Sequence, residues 1–205
     1  MLNRRRALMA QGGTSPRLPS EYQEVEWIQG DGTAQILTGI TPTVNSAMKA
    51  EMAAQSQTQY NFLGSRDGSS GVDKAFLVAS YNSAHKFGFM RWGYGVQTIA
   101  FDTNWHEYYL SPTEAKVDGV DYALNSPKSQ TSTKTIKLFK ENVPSGGAIY
   151  IALKYFKFWD DGDLIADYIP CYRKSDGVIG MYDLVTNAFK VNAEESGTFT
   201  KGSDI

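Results

Sequence analysis

Two runs of alternating side chains, IYIALKYFKFWD and DLIADYIPCYR, meet at Asp161-Gly162, and no other feature limits the chain more. A period of two presents one row of side chains to a core and the other to solvent, which a helix cannot do. Asp-Gly between such runs supplies the positive φ angles of a two-residue hairpin turn. The segment predicts a long β-hairpin, with Ile149, Ile151 and Leu153 on one face and Tyr150 and Lys154 opposite. A capping segment, GVIGMYDLVTNAF, follows it.

The same period runs from Tyr22 onward, broken by turn residues every 8 to 12 positions or about that, the spacing of an all-β sandwich. Val25, Trp27 and Ile36 begin it, with Gly30-Asp31-Gly32 as a tight turn between strands, and Met48, Ala50 and Met52 continue it on one face. Strands are expected at 62–64, 76–80 and 87–92, separated by RDGSSGVD and NSAH. NWHEYYL reads as a strand, and EAKVDGVDYAL as a hairpin turning on Asp118-Gly119. NSPKSQTSTKT suits an exposed loop, and strands follow at 135–139 and 148–158 around the Pro144-Ser145-Gly146-Gly147 turn. No long amphipathic helix is evident. With 41% hydrophobic residues in 205, the chain can bury one substantial core, so residues 20–205 read as a single domain.

Residues 1–19 differ. Arg4, Arg5 and Arg6 lie among Leu2, Leu8 and Met9, and Gly12, Gly13, Pro16 and Pro19 then break regular structure, which makes an arm and linker. The apolar stretch 7–10 is too short for a signal peptide, and no run approaches the roughly 18 apolar residues of a membrane span. Twenty basic and 22 acidic residues leave a formal charge of -2, which gives no field to hold a nucleic acid. Cys171 is the sole cysteine, so no internal disulfide holds the fold.

The segments LPSEYQEVEWIQGDGTAQILTGI, FLGSRDG, the VDG turn, LIADYIPCYR and GVIGMYDLVTNAFKVNAEESGTFT together resemble the concanavalin-like, laminin-G-type jelly-roll domains of tailed bacteriophages and prophages. The resemblance covers nearly everything after residue 18. It implies a two-sheet antiparallel jelly-roll sandwich behind a short N-terminal arm, and a non-enzymatic virion structural protein, tail-associated or capsid-decorating. Such a protein would be made in the host bacterial cytoplasm without a signal peptide. Its arm, through Arg4, Arg5, Arg6, Leu8 and Met9, would dock on other virion subunits or support a homo-oligomer. Its sandwich would display loops to a host-surface glycan or protein. The chain departs from the family at Glu194-Glu195 and carries no obvious calcium-ligand set.

Catalytic readings find little to build on. Glycoside hydrolases need two carboxylates flanking the scissile bond, about 5 Å apart for retention. The acidic clusters are Glu21-Glu24-Glu26, Asp160-Asp161-Asp163 and Glu194-Glu195, and of these Glu24 and Glu26 share a strand face beside the domain entrance. Asp160-Asp161-Gly162-Asp163 fits a hairpin turn better than a calcium loop, since one turn cannot supply six oxygens. Cys171 reads as a buried small hydrophobe, and His106 as a strand residue with a structural hydrogen bond. Gly93-Tyr94-Gly95 and Gly68-Ser69-Ser70-Gly71 mark turns, with no helix after them to hold phosphate.

A sugar presents apolar C-H faces and peripheral hydroxyls, so its site needs an exposed aromatic ring beside hydrogen-bonding groups. Arg66-Asp67, Tyr81-Asn82 and Arg91-Trp92-Gly93-Tyr94 supply that combination, whereas Trp27, Trp105 and Phe158 are assigned to packing. A degenerate glycoside hydrolase of the same fold and a purely architectural virion cement protein remain the alternatives.

Overall fold

The computed structural model describes residues 17–54, 61–67, 75–81, 86–91, 94–100, 102–122, 132–140 and 150–205. Among them there are β-strands and no helix. The strands are β1 (Tyr22–Glu24), β2 (Ile28–Gly30), β3 (Ile36–Leu37), β4 (Ala47–Ala54), β5 (Asn61–Arg66), β6 (Ala75–Tyr81), β7 (Lys86–Arg91), β8 (Tyr94–Ala100) and β9 (Trp105–Leu110). They continue as β10 (Ala115–Val117), β11 (Val120–Tyr122), β12 (Lys137–Leu138), β13 (Ile151–Asp160), β14 (Asp163–Arg173), β15 (Ile179–Asp183), β16 (Ala188–Val191) and β17 (Phe199–Lys201). A large antiparallel sheet follows the path β11-β10-β9-β4-β13-β14-β15-β16, with β1, β2 and β17 attached at its middle. The second, smaller sheet runs β3-β12-β5-β6-β7-β8.

Alternation explains the packing. Met48, Ala50 and Met52 of β4, Tyr108 and Leu110 of β9, and Phe156 and Phe158 of β13 enter one cluster with Ile36, Leu63, Phe76, Val78 and Leu138 of the smaller sheet. Phe76 meets Phe158 edge-on between the sheets at 6.1 Å. Each fully buried side chain of this size contributes about 1.5–3 kcal/mol, so the shared core holds the two sheets together, an arrangement consistent with a β-sandwich.

Two irregularities shape β13. The register shifts between Leu153 and Tyr155, so Leu153 and Phe156 both reach the core while Lys154 is displaced outward. Ala152 and Leu153 pair with β2, whereas Phe156 onward pairs with β14. The hairpin therefore splays, and the segment 22–30 wedges into the gap, β1 lying along the far end of β14. Strand β14 is buried on both faces: Ala166 and Tyr168 enter the main core, while Ile169 and Cys171 join a second cluster with Tyr182 and Leu18. Leu18, assigned to the linker from sequence, is thus a packed residue.

Several sequence expectations change in detail. Gly30-Asp31-Gly32 is a turn, with Gly32 at φ 88°, but it carries the chain from one sheet to the other instead of joining paired strands. Tyr94 and Gly95, taken as turn residues, open β8. The strand expected at 135–139 is only Lys137–Leu138. Trp105 is half-buried outside the core, with the Lys154 ammonium 4.5 Å from its ring. Trp27 packs instead against Gly202, where a Cβ would come within 2.7 Å of the indole nitrogen. Phe158 is buried as expected.

Candidate functional site

The register sorts the residues singled out from sequence. Arg66 closes the β5–β6 pairing opposite Ala75, and Arg91 pairs with both Phe76 and Tyr94, so Arg66, Asp67, Arg91 and Tyr94 gather at one end of the smaller sheet. Tyr81 pairs with Lys86 at the other end of β6, about 20 Å away at the usual rise per strand residue. Asn82, Trp92 and the arm residues Arg4, Arg5, Arg6, Leu8 and Met9 lie outside the described residues, as do the side chains of Tyr81, Arg91 and Tyr94. The Asp67 carboxylate accepts hydrogen bonds from Ser132 Oγ at 2.7 Å, Thr133 Oγ1 at 2.9 Å and the Thr133 amide at 3.0 Å. It ties the loop after β5 to the irregular segment leading into β12.

A concavity lies on the large sheet. Where β4 begins and β9 and β13 end, an open groove of about 530 Å³ is lined by Trp159, Tyr109, Asn45, Ser111, Thr113 and Glu114, with Ala47 among its walls. Phe156 and Phe158 point to the core, and Tyr108 and Leu110 do likewise, so Trp159 and Tyr109 belong to the opposite, outer face. Both rings are half-buried. The pairings Trp159 to Ala47 and Tyr109 to Lys49 place them two strands apart, one on each side of β4.

Short-range hydrogen bonds fix the rim. Asp161 and Gly162, at φ 49° and 88°, make the tight turn of the β13–β14 hairpin. Thr43 and Ser46 donate to Asp160 Oδ1 at 2.5 and 2.9 Å, and Asn45 donates to Asp161. Opposite, Ser111 Oγ accepts from the Thr113 and Glu114 amides at 3.2 and 2.9 Å. Asp160 and Asp161 are therefore occupied in holding the turn, and among the described residues no group of three or more His, Cys, Asp or Glu side chains could hold a metal.

Beyond the groove the outer face is a mosaic of ion pairs. Glu51 and Glu107 are cross-strand partners, but Lys154 pairs with Glu51, while Lys49 Nζ lies 2.8 Å from Glu107 and the Tyr155 hydroxyl donates to the same carboxylate. Partial burial alone would raise the Glu107 pKa; the bonds from Lys49 and Tyr155 outweigh it and hold the carboxyl below the usual range. Such a group is a poor proton donor near neutrality. Glu24 and Glu26 are engaged separately, Glu24 by Arg17 and Glu26 by the Ser203 amide at 3.2 Å. Burial pushes the Cys171 thiol up to about 12, so it stays protonated and unreactive at neutral pH. His106 bridges Asp118 through Nδ1 at 2.6 Å and Asp102 through Nε2 at 2.8 Å, a structural link between the loop before β9 and the β10–β11 turn.

Sequence reasoning missed Trp159, Tyr109 and Asn45. Parity was the available signal: in a period-two strand the neighbour of an inward Phe158 or Tyr108 must face outward. That all three meet in one groove depends on strand order, which no local pattern contains. Comparison with known protein families finds no match, and comparison with curated proteins finds none either.

Proposed function

We propose that this chain is a non-catalytic recognition module, a sandwich of jelly-roll type that binds glycan through the Trp159–Tyr109 groove. The groove is the observation that carries this reading: two half-buried aromatic rings flank amide, hydroxyl and carboxylate groups on a rim held by hydrogen bonds. Rings of this kind stack on the C-H faces of a sugar while the polar groups meet its hydroxyls. The lysine and tyrosine partners of Glu51 and Glu107 support a binding role over a hydrolytic one. The sequence resemblance supplies the setting, a phage or prophage particle on which residues 1–19 anchor the module to other virion subunits. Many copies would then convert weak single-site binding into avidity.

The test is a glycan array and a bacterial-cell binding assay on the multimerised protein, with a Trp159→Ala variant and a chain lacking residues 1–19. Saturable binding that survives loss of the arm and weakens about tenfold in Trp159→Ala is expected, the size of a well-placed stacking contact. Absence of binding at any valency would leave the sandwich as architectural cement.

A further inference from the structure

We infer that the ligand is an extended, uncharged polysaccharide chain, laid along the outer face of the large sheet from the groove towards Trp105. This inference rests on the glycan reading above and names the class of glycan. The outward residues of β4, β9 and β13 stand in register: Trp159 with Ala47, then Lys49 with Tyr109 and Lys157, then Glu51 with Glu107 and Tyr155, then Ala53 with Trp105. Six residues of β4 separate the first row from the last, a span of about 20 Å. A single sugar ring fills only one end of such a strip, whereas a chain of several rings matches its length.

The face is open and electrically balanced. Side chains of Lys49, Glu107 and Lys154 are 34%, 39% and 35% exposed, so solvent reaches the middle of the strip. Among the described residues each lysine along it already has a carboxylate: Lys49 with Glu107 at 2.8 Å, Lys157 with Asp167 at 3.0 Å, Lys116 with Glu114 at 3.3 Å, and Lys154 with Glu51. A uronic-acid or phosphate-bearing chain would have to break these pairs to find a cation, and a polyamine chain would have to break them to find an anion. A neutral chain needs neither. It requires hydrogen-bonding groups and aromatic surface, and Tyr109, Tyr155 and Trp105 continue the aromatic series beyond Trp159. The Lys154 ammonium lies 4.5 Å from the Trp105 ring, a cation–π contact at that end of the strip.

The experiment is isothermal titration of the full chain with cello-, xylo-, malto- and chito-oligosaccharides from monosaccharide to hexasaccharide, with oligogalacturonate as the charged counterpart. For at least one neutral series, affinity is expected to rise about tenfold or more between disaccharide and hexasaccharide. In Trp105→Ala the ratio of those two affinities should collapse towards one, while thermal unfolding reports whether the variant folds. The wild-type length series stands without the variant. Affinity that stops rising at the disaccharide, or tighter binding of oligogalacturonate than of any neutral chain, overturns this inference and leaves the glycan reading standing. Binding of no sugar by the folded protein overturns both.

Discussion

Asp31 shows how one turn residue can join distant parts of the chain. Its carboxylate accepts from the Thr33 and Ala34 amides at 2.9 and 3.0 Å, and from the Thr198 amide and hydroxyl at 2.7 and 2.9 Å. Burial works against the charge, but the hydrogen bonds from Ala34, Thr33 and Thr198 bring the pKa down to about 2 from 3.8. A lowered folded-state pKa gives stability that is complete above 3.8 and disappears as the pH falls towards about 2. Asp31→Asn should therefore cost about 2 kcal/mol in urea unfolding at neutral pH, with the gap from wild type narrowing in that acid window. His106 has the opposite sign. Burial would lower its pKa, yet hydrogen bonds to Asp118 and Asp102 raise it above 6.5, so its contribution is complete below 6.5 and is lost as the pH climbs through the raised value. Wild-type stability should fall by about 1 kcal/mol across that rise, the pair being partly exposed, and His106→Asn should flatten the slope. The turn chemistry of Asp31, Asp118 and Asp161 was legible in the sequence because each sits beside a glycine that tolerates positive φ. The Thr198 partnership was not, since the two residues are remote in the chain.

At the scale of elements, strands with a clean period were easy to read and those carrying irregularities were not. β4, β9, β13 and β14 follow from alternation, whereas the shift after Leu153 reverses the parity within β13, and the irregularity opposite Phe158–Trp159 falls in β14, between Ala166 and Leu164, and leaves the Phe158–Trp159 alternation intact. β8 was lost because Gly95 looks like punctuation yet lies within the strand, paired with Met90. Gly180 shows the other use of glycine in a strand, close approach of a second backbone. A Cβ there would lie 2.2 Å from the Lys190 carbonyl oxygen and 2.9 Å from the Phe189 ring, across the β15–β16 pairing. Gly180→Ala must push β16 away or break its ladder. A loss of about 3 kcal/mol is expected in chemical unfolding, with early hydrogen exchange at 188–191 as the local sign of a displaced strand. A variant as stable as wild type would mean that β16 shifts at no cost and contributes little to the sheet.

For the whole molecule, the all-β class was legible but the closure was not, because closure joins residues from opposite ends of the described chain. β2 lies between β13 and β17, with Phe199 opposite Gly30 and Lys201 opposite Ile28. The Gly202 amide then bonds to Trp27 at 2.9 Å, and Val25 bridges Asp204. Phe199 also packs on Phe139, at 5.0 Å between rings, which carries the closure to the residue after β12 of the smaller sheet. Local pattern singles out no strand at 199–201; topology makes Phe199–Lys201 the outer support of the wedge that fills the splayed hairpin. Removing residues 198–205 takes away the β2–β17 ladder, the Phe199 contact and the Asp31–Thr198 bonds together. The expected loss is at least about 3 kcal/mol, on the scale of one large buried aromatic, and it should appear as one cooperative transition at a lower denaturant midpoint, because β2 shares its core with both sheets. A double-mutant cycle sharpens the prediction. If Thr198 is the partner that gives Asp31 much of its value, Asp31→Asn should cost clearly less in the shortened chain than in the full one. Equal cost in both backgrounds would assign the value of Asp31 to its own turn, and the tail would then support β2 only through pairing and packing.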